Sequence, residues 1–134
     1  MTTTGKCHCG AISYSTQAEP EHHALCHCTD CRIWSGAPMV GWIAFQDEAV
    51  TVTGQPVTYE SSEHGRRDFC GKCGTGLFYR NAAFLPGIVD IHSGTLDDYS
   101  GNPPGAEIMV KDRVGWMDGV EALPKFQTFP GMDA

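Results

Sequence analysis

Basic side chains are scarce in this sequence. Nine lysines and arginines stand against sixteen aspartates and glutamates, a formal charge of −7. Affinity for a phosphate backbone rests on lysine and arginine contacts, so nucleic acid is disfavoured as a partner. Long apolar runs are missing as well. No stretch approaches the roughly 20 residues of a membrane span, and residues 1–6 carry no hydrophobic signal region. The expected setting is therefore cytoplasmic, with no membrane partner. A sustained 3.6-residue apolar period is also absent, which removes the helical bundle as a fold.

What remains is a chain of short segments. Sixteen glycines and eight prolines are spread along 134 residues and punctuate it throughout. Between them, residues 11–15, 39–45, 50–52, 57–59, 77–79, 87–92 and 107–110 alternate or are β-branched, the pattern of short strands. The best helix candidate is one turn over residues 29–34, with Thr29 in position to cap it. The length suits one ordinary domain, and 41% hydrophobic with 19% charged residues is a globular composition. The expectation is a single all-β domain over residues 1–134.

Seven cysteines are many for such a chain. Their odd number, their tight clustering and the missing signal region point to metal ligation in preference to disulfides. The clusters are Cys7-His8-Cys9-Gly10, Cys26-His27-Cys28-Thr29-Asp30-Cys31 and Cys70-Gly71-Lys72-Cys73-Gly74. A Cys-x-x-Cys turn followed by glycine is a metal knuckle, because its sulfurs converge and the glycine takes the positive φ the turn needs. Zinc takes four tetrahedral ligands, so seven sulfurs complete one site and leave the other with three and an open position. A closed site holds a fold; an open one admits water or substrate. One of His8, His22, His23, His27, His64 and His92 would close the second site in the alternative. Spacing alone does not say which clusters combine, since the third can join the first or part of the second.

The residues around the cysteines carry a resemblance. Gly5-x-Cys7-x-Cys9-Gly10-x-Ile12-x-Tyr14, then Cys26-His27-Cys28-x-x-Cys31-Arg32, then Phe69-Cys70-x-x-Cys73-Gly74-Thr75 resemble the glutathione-dependent formaldehyde-activating enzyme family, which includes the centromere protein V-like domain. Ser35-Gly36-Ala37-Pro38, Gly94-Thr95-Leu96-Asp97-Asp98 and Leu123-Pro124-x-Phe126 extend it over nearly the whole chain. The resemblance implies a β-tent, Mss-four-like zinc fold of short antiparallel sheets. It also implies two zinc ions per chain: a structural one on Cys7, Cys9, Cys70 and Cys73, and a catalytic one on Cys26, Cys28 and Cys31. The implied activity is that of a carbon–sulfur lyase joining a small thiol such as glutathione to a small aldehyde.

The residue chemistry is compatible with that activity. A thiol entering the open position of a three-thiolate zinc would lose its proton, and the thiolate is the nucleophile. His27, between two ligands, is read either as a proton shuttle or as an exposed spacer. Arg32 is read as a surface ion pair or a clamp on a substrate carboxylate. Trp34, Trp42 and Trp116 are expected in the core, and residues 64–67 as a solvated loop. The rival functions are a non-catalytic zinc module that binds a protein and, last, methionine sulfoxide reduction, which needs a redox cysteine outside the metal sites. The oligomeric state, a dimer being one option, is not legible in the sequence.

Overall fold

Short runs of β-branched and aromatic residues, each ended by glycine, proline or a polar turn, become strands in the computed structural model, which describes residues 2–132. The domain expectation over 1–134 extends to residues 1, 133 and 134, which lie outside the described residues. A small antiparallel sheet joins β1 (Thr3–Lys6), β2 (Ser13–Thr16) and β5 (Val50–Thr53), with β2 in the middle. The larger sheet contains β3 (His22–Cys26), β4 (Val40–Gln46), β6 (Val57–Glu60), β7 (Gly65–Phe69), β8 (Gly76–Asn81), β9 (Ile88–His92) and β10 (Ala106–Ile108). Its order is β10-β3-β4-β9-β8-β7-β6, antiparallel except for the β10–β3 pair. The all-β expectation, with little helix, holds. One α-helix, α1 (Thr29–Ser35), lies between β3 and β4.

Because side chains alternate along a strand, the large sheet has two different faces. One carries Ile43, Phe45, Phe78, Val89 and Ile91, all but sealed from solvent, against Ile12 and Tyr14 of the small-sheet layer. Each such side chain contributes roughly 1.5–3 kcal/mol by leaving water, so this layer is the main core. The register puts Arg67 opposite Tyr79, Tyr79 opposite Asp90, Asp90 opposite Ala44, and Trp42 opposite His92. These residues belong to the other face. There Trp42 and Val40 pack with Cys26 and Cys31 into a second, smaller cluster.

Three strands escape the sequence reading: β1, β3 and β7. Strand β3 reads His-His-Ala-Leu-Cys, without a β-branched residue, and β7 reads Gly-Arg-Arg-Asp-Phe. Of residues 64–67, expected as a solvated loop, His64 stays exposed in the turn, but residues 65–67 enter β7 in the interior of the sheet, and Arg67 is only 5% exposed. The strand expected over 107–110 stops at Ile108, because Met109 takes a left-handed φ of 56°. Of the three tryptophans only Trp42 is core. Trp34 is half-buried and Trp116 is 63% exposed.

Candidate metal centres

The knuckle at Cys7 closes the hairpin between β1 and β2. The Cys7 N–H donates to the Ile12 carbonyl at 2.9 Å and the Gly10 N–H to the Cys7 carbonyl at 3.1 Å. The knuckle at Cys70 joins β7 to β8 in the same way, with Cys70 N–H to Thr75 O at 2.9 Å and Gly74 N–H to Cys70 O at 2.8 Å. Gly74 has φ 85°, the conformation a side chain would strain. The His8 N–H donates to Thr75 Oγ1 at 3.0 Å and ties one knuckle to the other.

This docking brings Cys7, Cys9, Cys70 and Cys73 together, with all four sulfurs within 4.8 Å of one another. Cys7 and Cys9 sulfurs are 3.7 Å apart, and those of Cys9 and Cys70 3.8 Å. A tetrahedron with metal–sulfur bonds of about 2.3 Å has edges of about 3.8 Å, so the donor set fits a zinc–thiolate centre. Backbone N–H groups support the sulfurs, Ile12 N–H reaching Cys7 Sγ at 3.3 Å and Cys73 N–H reaching Cys70 Sγ at 3.5 Å.

Cys26, Cys28 and Cys31 form the second group, again within 4.8 Å and with no fourth cysteine. Cys26 ends β3, and Cys28 and Cys31 bracket the first turn of α1. The helix cap is Cys28 and not the expected Thr29: its sulfur accepts the Cys31 N–H at 3.3 Å, and Gly36 closes the helix with φ 72°. Arg67 comes from strand β7, 36 residues away in sequence. Its guanidinium stands 3.8 and 3.9 Å from Cys31 Sγ, over the rings of Trp34 and Tyr79. Among the described residues no carboxylate lies within ion-pair distance of it. The charge it faces is sulfur.

Each group divides its protons unevenly, because a thiol left protonated donates to a neighbouring thiolate. The Cys26 sulfur, ahead of Cys28, Trp42 and Arg67, draws Cys31 down to about 5 against its burial, while Cys26 itself is pushed far up. In the four-cysteine group the Thr75 hydroxyl leads in bringing Cys73 down to about 5. Both groups thus already hold thiolate character, the form that binds metal.

None of the six histidines completes the second group. His27 is 1% exposed, which removes the exposed-spacer reading. Its Nε2 lies 2.7 Å from Glu107 Oε1, whose side chain is half exposed on β10. His92 sits on β9 with its ring 4.1 Å from Trp42 and 5.8 Å from Trp34, its Nε2 buried and unpartnered. Burial, with help from the Arg67 charge, pulls it down to about 4. Asp90, two residues earlier on the same face, is pushed up to about 6 by burial. Arg67, Asp90 and His92 share the sheet face on which the second cysteine group packs. For Asp90 and His92 the sequence held one signal, polar residues at alternate positions of the otherwise apolar strand β9, whereas Arg67, inside the charged run Arg66-Arg67-Asp68, had none.

A cleft of about 640 Å³ opens beside this face. Val40, directly opposite Cys26 in the sheet, lies in its lining, as does Trp34, three residues beyond Cys31 on α1. Gly74 and Thr75 of the other knuckle border it too. A Cβ on Gly76 would stand 2.2 Å from the Trp34 ring, so the absence of a side chain there is what lets the indole form the wall.

Residues 2–112 match the family described as "Glutathione-dependent formaldehyde-activating enzyme". The chain is 35% identical over 75 residues to an uncharacterized lyase of Schizosaccharomyces pombe. That match covers 56% of this chain and spans about half, 55%, of the length of the relative. It is 23% identical over 142 residues to a Halomonas elongata protein provisionally named a glutathione-dependent formaldehyde-activating enzyme, covering 98% of this chain and 88% of the other. A solved Rhodobacter sphaeroides protein superposes with a TM-score of 0.59 at 18% identity, over 78% of this chain and 97% of that one, a likeness of fold alone.

Proposed function

The chain belongs to the glutathione-dependent formaldehyde-activating enzyme family, and on that premise we propose that it is a zinc-dependent carbon–sulfur lyase, adding a small thiol to a small aldehyde or reversing that addition. The observation that carries this reading is the division of seven cysteines into a group of four and a group of three, the smaller packed against Val40, which lines a cleft. In this reading Cys7, Cys9, Cys70 and Cys73 would hold a structural zinc, and Cys26, Cys28 and Cys31 would hold a second with fewer protein ligands, which could take a substrate sulfur. Zinc bound there supplies positive charge that favours the substrate thiolate over the thiol.

The balance of the reaction needs no oxidant. The substrate sulfur forms a bond to the carbonyl carbon, the C=O π pair moves to oxygen, and the proton given up by the thiol ends on that oxygen. The side chains supply the remaining requirements. Arg67 offsets the negative charge gathered on the cysteine sulfurs, through Cys31. His27, buried beside the ligands and bonded to the half-exposed Glu107, gives a route for the thiol proton towards solvent. His92, neutral above its lowered pKa, adds no charge to the cleft wall.

The test is a calorimetric titration of zinc-loaded protein with glutathione and a panel of small thiols, in two buffers of different ionisation enthalpy, with and without formaldehyde. Binding with proton release, weakening as pH falls because protons compete for the sulfur, is expected for at least one thiol. The Cys31→Ser protein should stay folded by circular dichroism and bind none. Absence of heat, proton release and accelerated hydroxymethyl-thiol exchange across the whole panel would transfer the assignment to a zinc module that binds protein.

A further inference from the structure

The cleft is built from groups that carry no net charge. Trp34 and Phe69 meet edge to face at 6.3 Å and, with Met39, give it an apolar wall. Tyr99 adds a hydroxyl to the lining, as do Thr75 and Thr95, whose oxygens are already bonded to the His8 N–H at 3.0 Å and the His92 carbonyl at 2.7 Å. His92 is the one titratable nitrogen in the lining, and burial keeps it neutral at physiological pH. Neither arginine of the neighbourhood reaches in. Arg67 is spent on Cys31 behind the Trp34 ring, and Arg32 opens on a separate groove with Ile33, Pro38 and Trp116. Tyr99 also borders a second groove, lined by Asp97 and Asp98. The lysine there, Lys6, is already bound to Asp97 at 2.8 Å.

We infer that this cleft receives the organic body of the thiol substrate, and that the body it takes is uncharged, with an aromatic or alkyl portion and one or two hydroxyl-sized polar groups. The inference rests on the thiol-addition reading above and narrows it. Glutathione fits the cleft by size but not by charge. Its two carboxylates would leave water for a lining without a cation, in a molecule already at −7. A neutral thiol loses nothing of this kind, and its apolar part gains contact with the Trp34 and Phe69 rings.

The experiment compares glutathione with its N-acetyl diethyl ester, which keeps the sulfur and the backbone and removes all three charges. Zinc-loaded full-length protein is titrated with each. The neutral ester should bind at least about tenfold more tightly. Glutathione binding as tightly as the ester, or more so, overturns the inference while leaving the thiol reading intact. A Met39→Lys variant locates the preference. An ammonium on that half-buried wall should raise glutathione affinity several-fold and leave the ester within about twofold, and an unchanged ratio would show that the cleft is not where the thiol body sits. Failure of both compounds and of the wider thiol panel removes this inference together with the reading beneath it.

Discussion

Cys28 has two tasks that are separable at the level of single atoms. Its sulfur accepts the Cys31 N–H and so caps a seven-residue helix that has no other side-chain cap, and it is also one of three sulfurs that converge beside Val40 and Trp42. Serine keeps an acceptor at the capping position but is a poor zinc ligand, whereas alanine removes both. Cys28→Ser and Cys28→Ala should therefore lose metal at the second group to a chelator alike. They should differ from each other by about 1 kcal/mol in urea unfolding, the usual worth of an N-cap. Equal stabilities would mean that the sulfur does not cap the helix in solution. Arg67 shows the same economy: a long side chain held flat between two rings puts its fork on a sulfur, a contact that lysine, with a compact ammonium, would not reproduce.

The elements divide the labour. The four-cysteine group joins the β1–β2 hairpin of the small sheet to the β7–β8 hairpin of the large one, so it fastens two layers that otherwise meet through the apolar core. The three-cysteine group lies within a single local unit, the end of β3 and the start of α1. Cys70→Ser or Cys73→Ser should therefore unfold or insolubilise the chain, since a structural zinc brings roughly 10 kcal/mol or more of apparent binding energy to folding. Cys31→Ser should leave a folded protein that holds one metal ion in place of two, read by metal analysis alongside circular dichroism. Melting of both kinds of variant at one temperature would contradict the division. Much of this was legible in the sequence. The knuckles announce themselves by Cys-x-Cys-Gly and Cys-x-x-Cys-Gly, and alternating or β-branched runs such as Met39-Val40-Gly41-Trp42-Ile43 and Gly87-Ile88-Val89-Asp90-Ile91 give their strands away. Strand β7 was not legible, because charge in the middle of a strand reads as solvent until the sulfur that answers Arg67 is in view. For the same reason the cleft lining, drawn from α1 and the loop after it, β4, the end of β7, the Cys70 knuckle, β8, β9 and the turn after β9, had no signature in any one stretch of sequence.

At the scale of the whole molecule, two titratable groups on one sheet face, the buried Asp90 and the half-buried His92, set opposing pH dependences. His92 is lowered from 6.5 to about 4, so as pH falls from 6.5 towards 4 the unfolded chain takes up a proton that the folded one refuses, and stability is lost. Asp90 is raised from 3.8 to about 6, so as pH rises from about 4 to about 6 the unfolded chain releases a proton that the folded one keeps, and stability is again lost. Between about 4 and 6 the folded state holds its proton on Asp90 and the unfolded state holds one on His92. The counts match, and the pair together contributes almost no slope. Removing either partner should expose the other. Asp90→Asn should make stability rise with pH across this window, and His92→Gln should make it fall, each by up to about 1.4 kcal/mol per pH unit. Urea midpoints measured at half-unit intervals and taken as differences from the unsubstituted chain isolate these terms, because proton competition for the cysteine sulfurs is common to all three proteins. Slopes of the same sign in both variants would show that the two groups do not titrate as their burial requires.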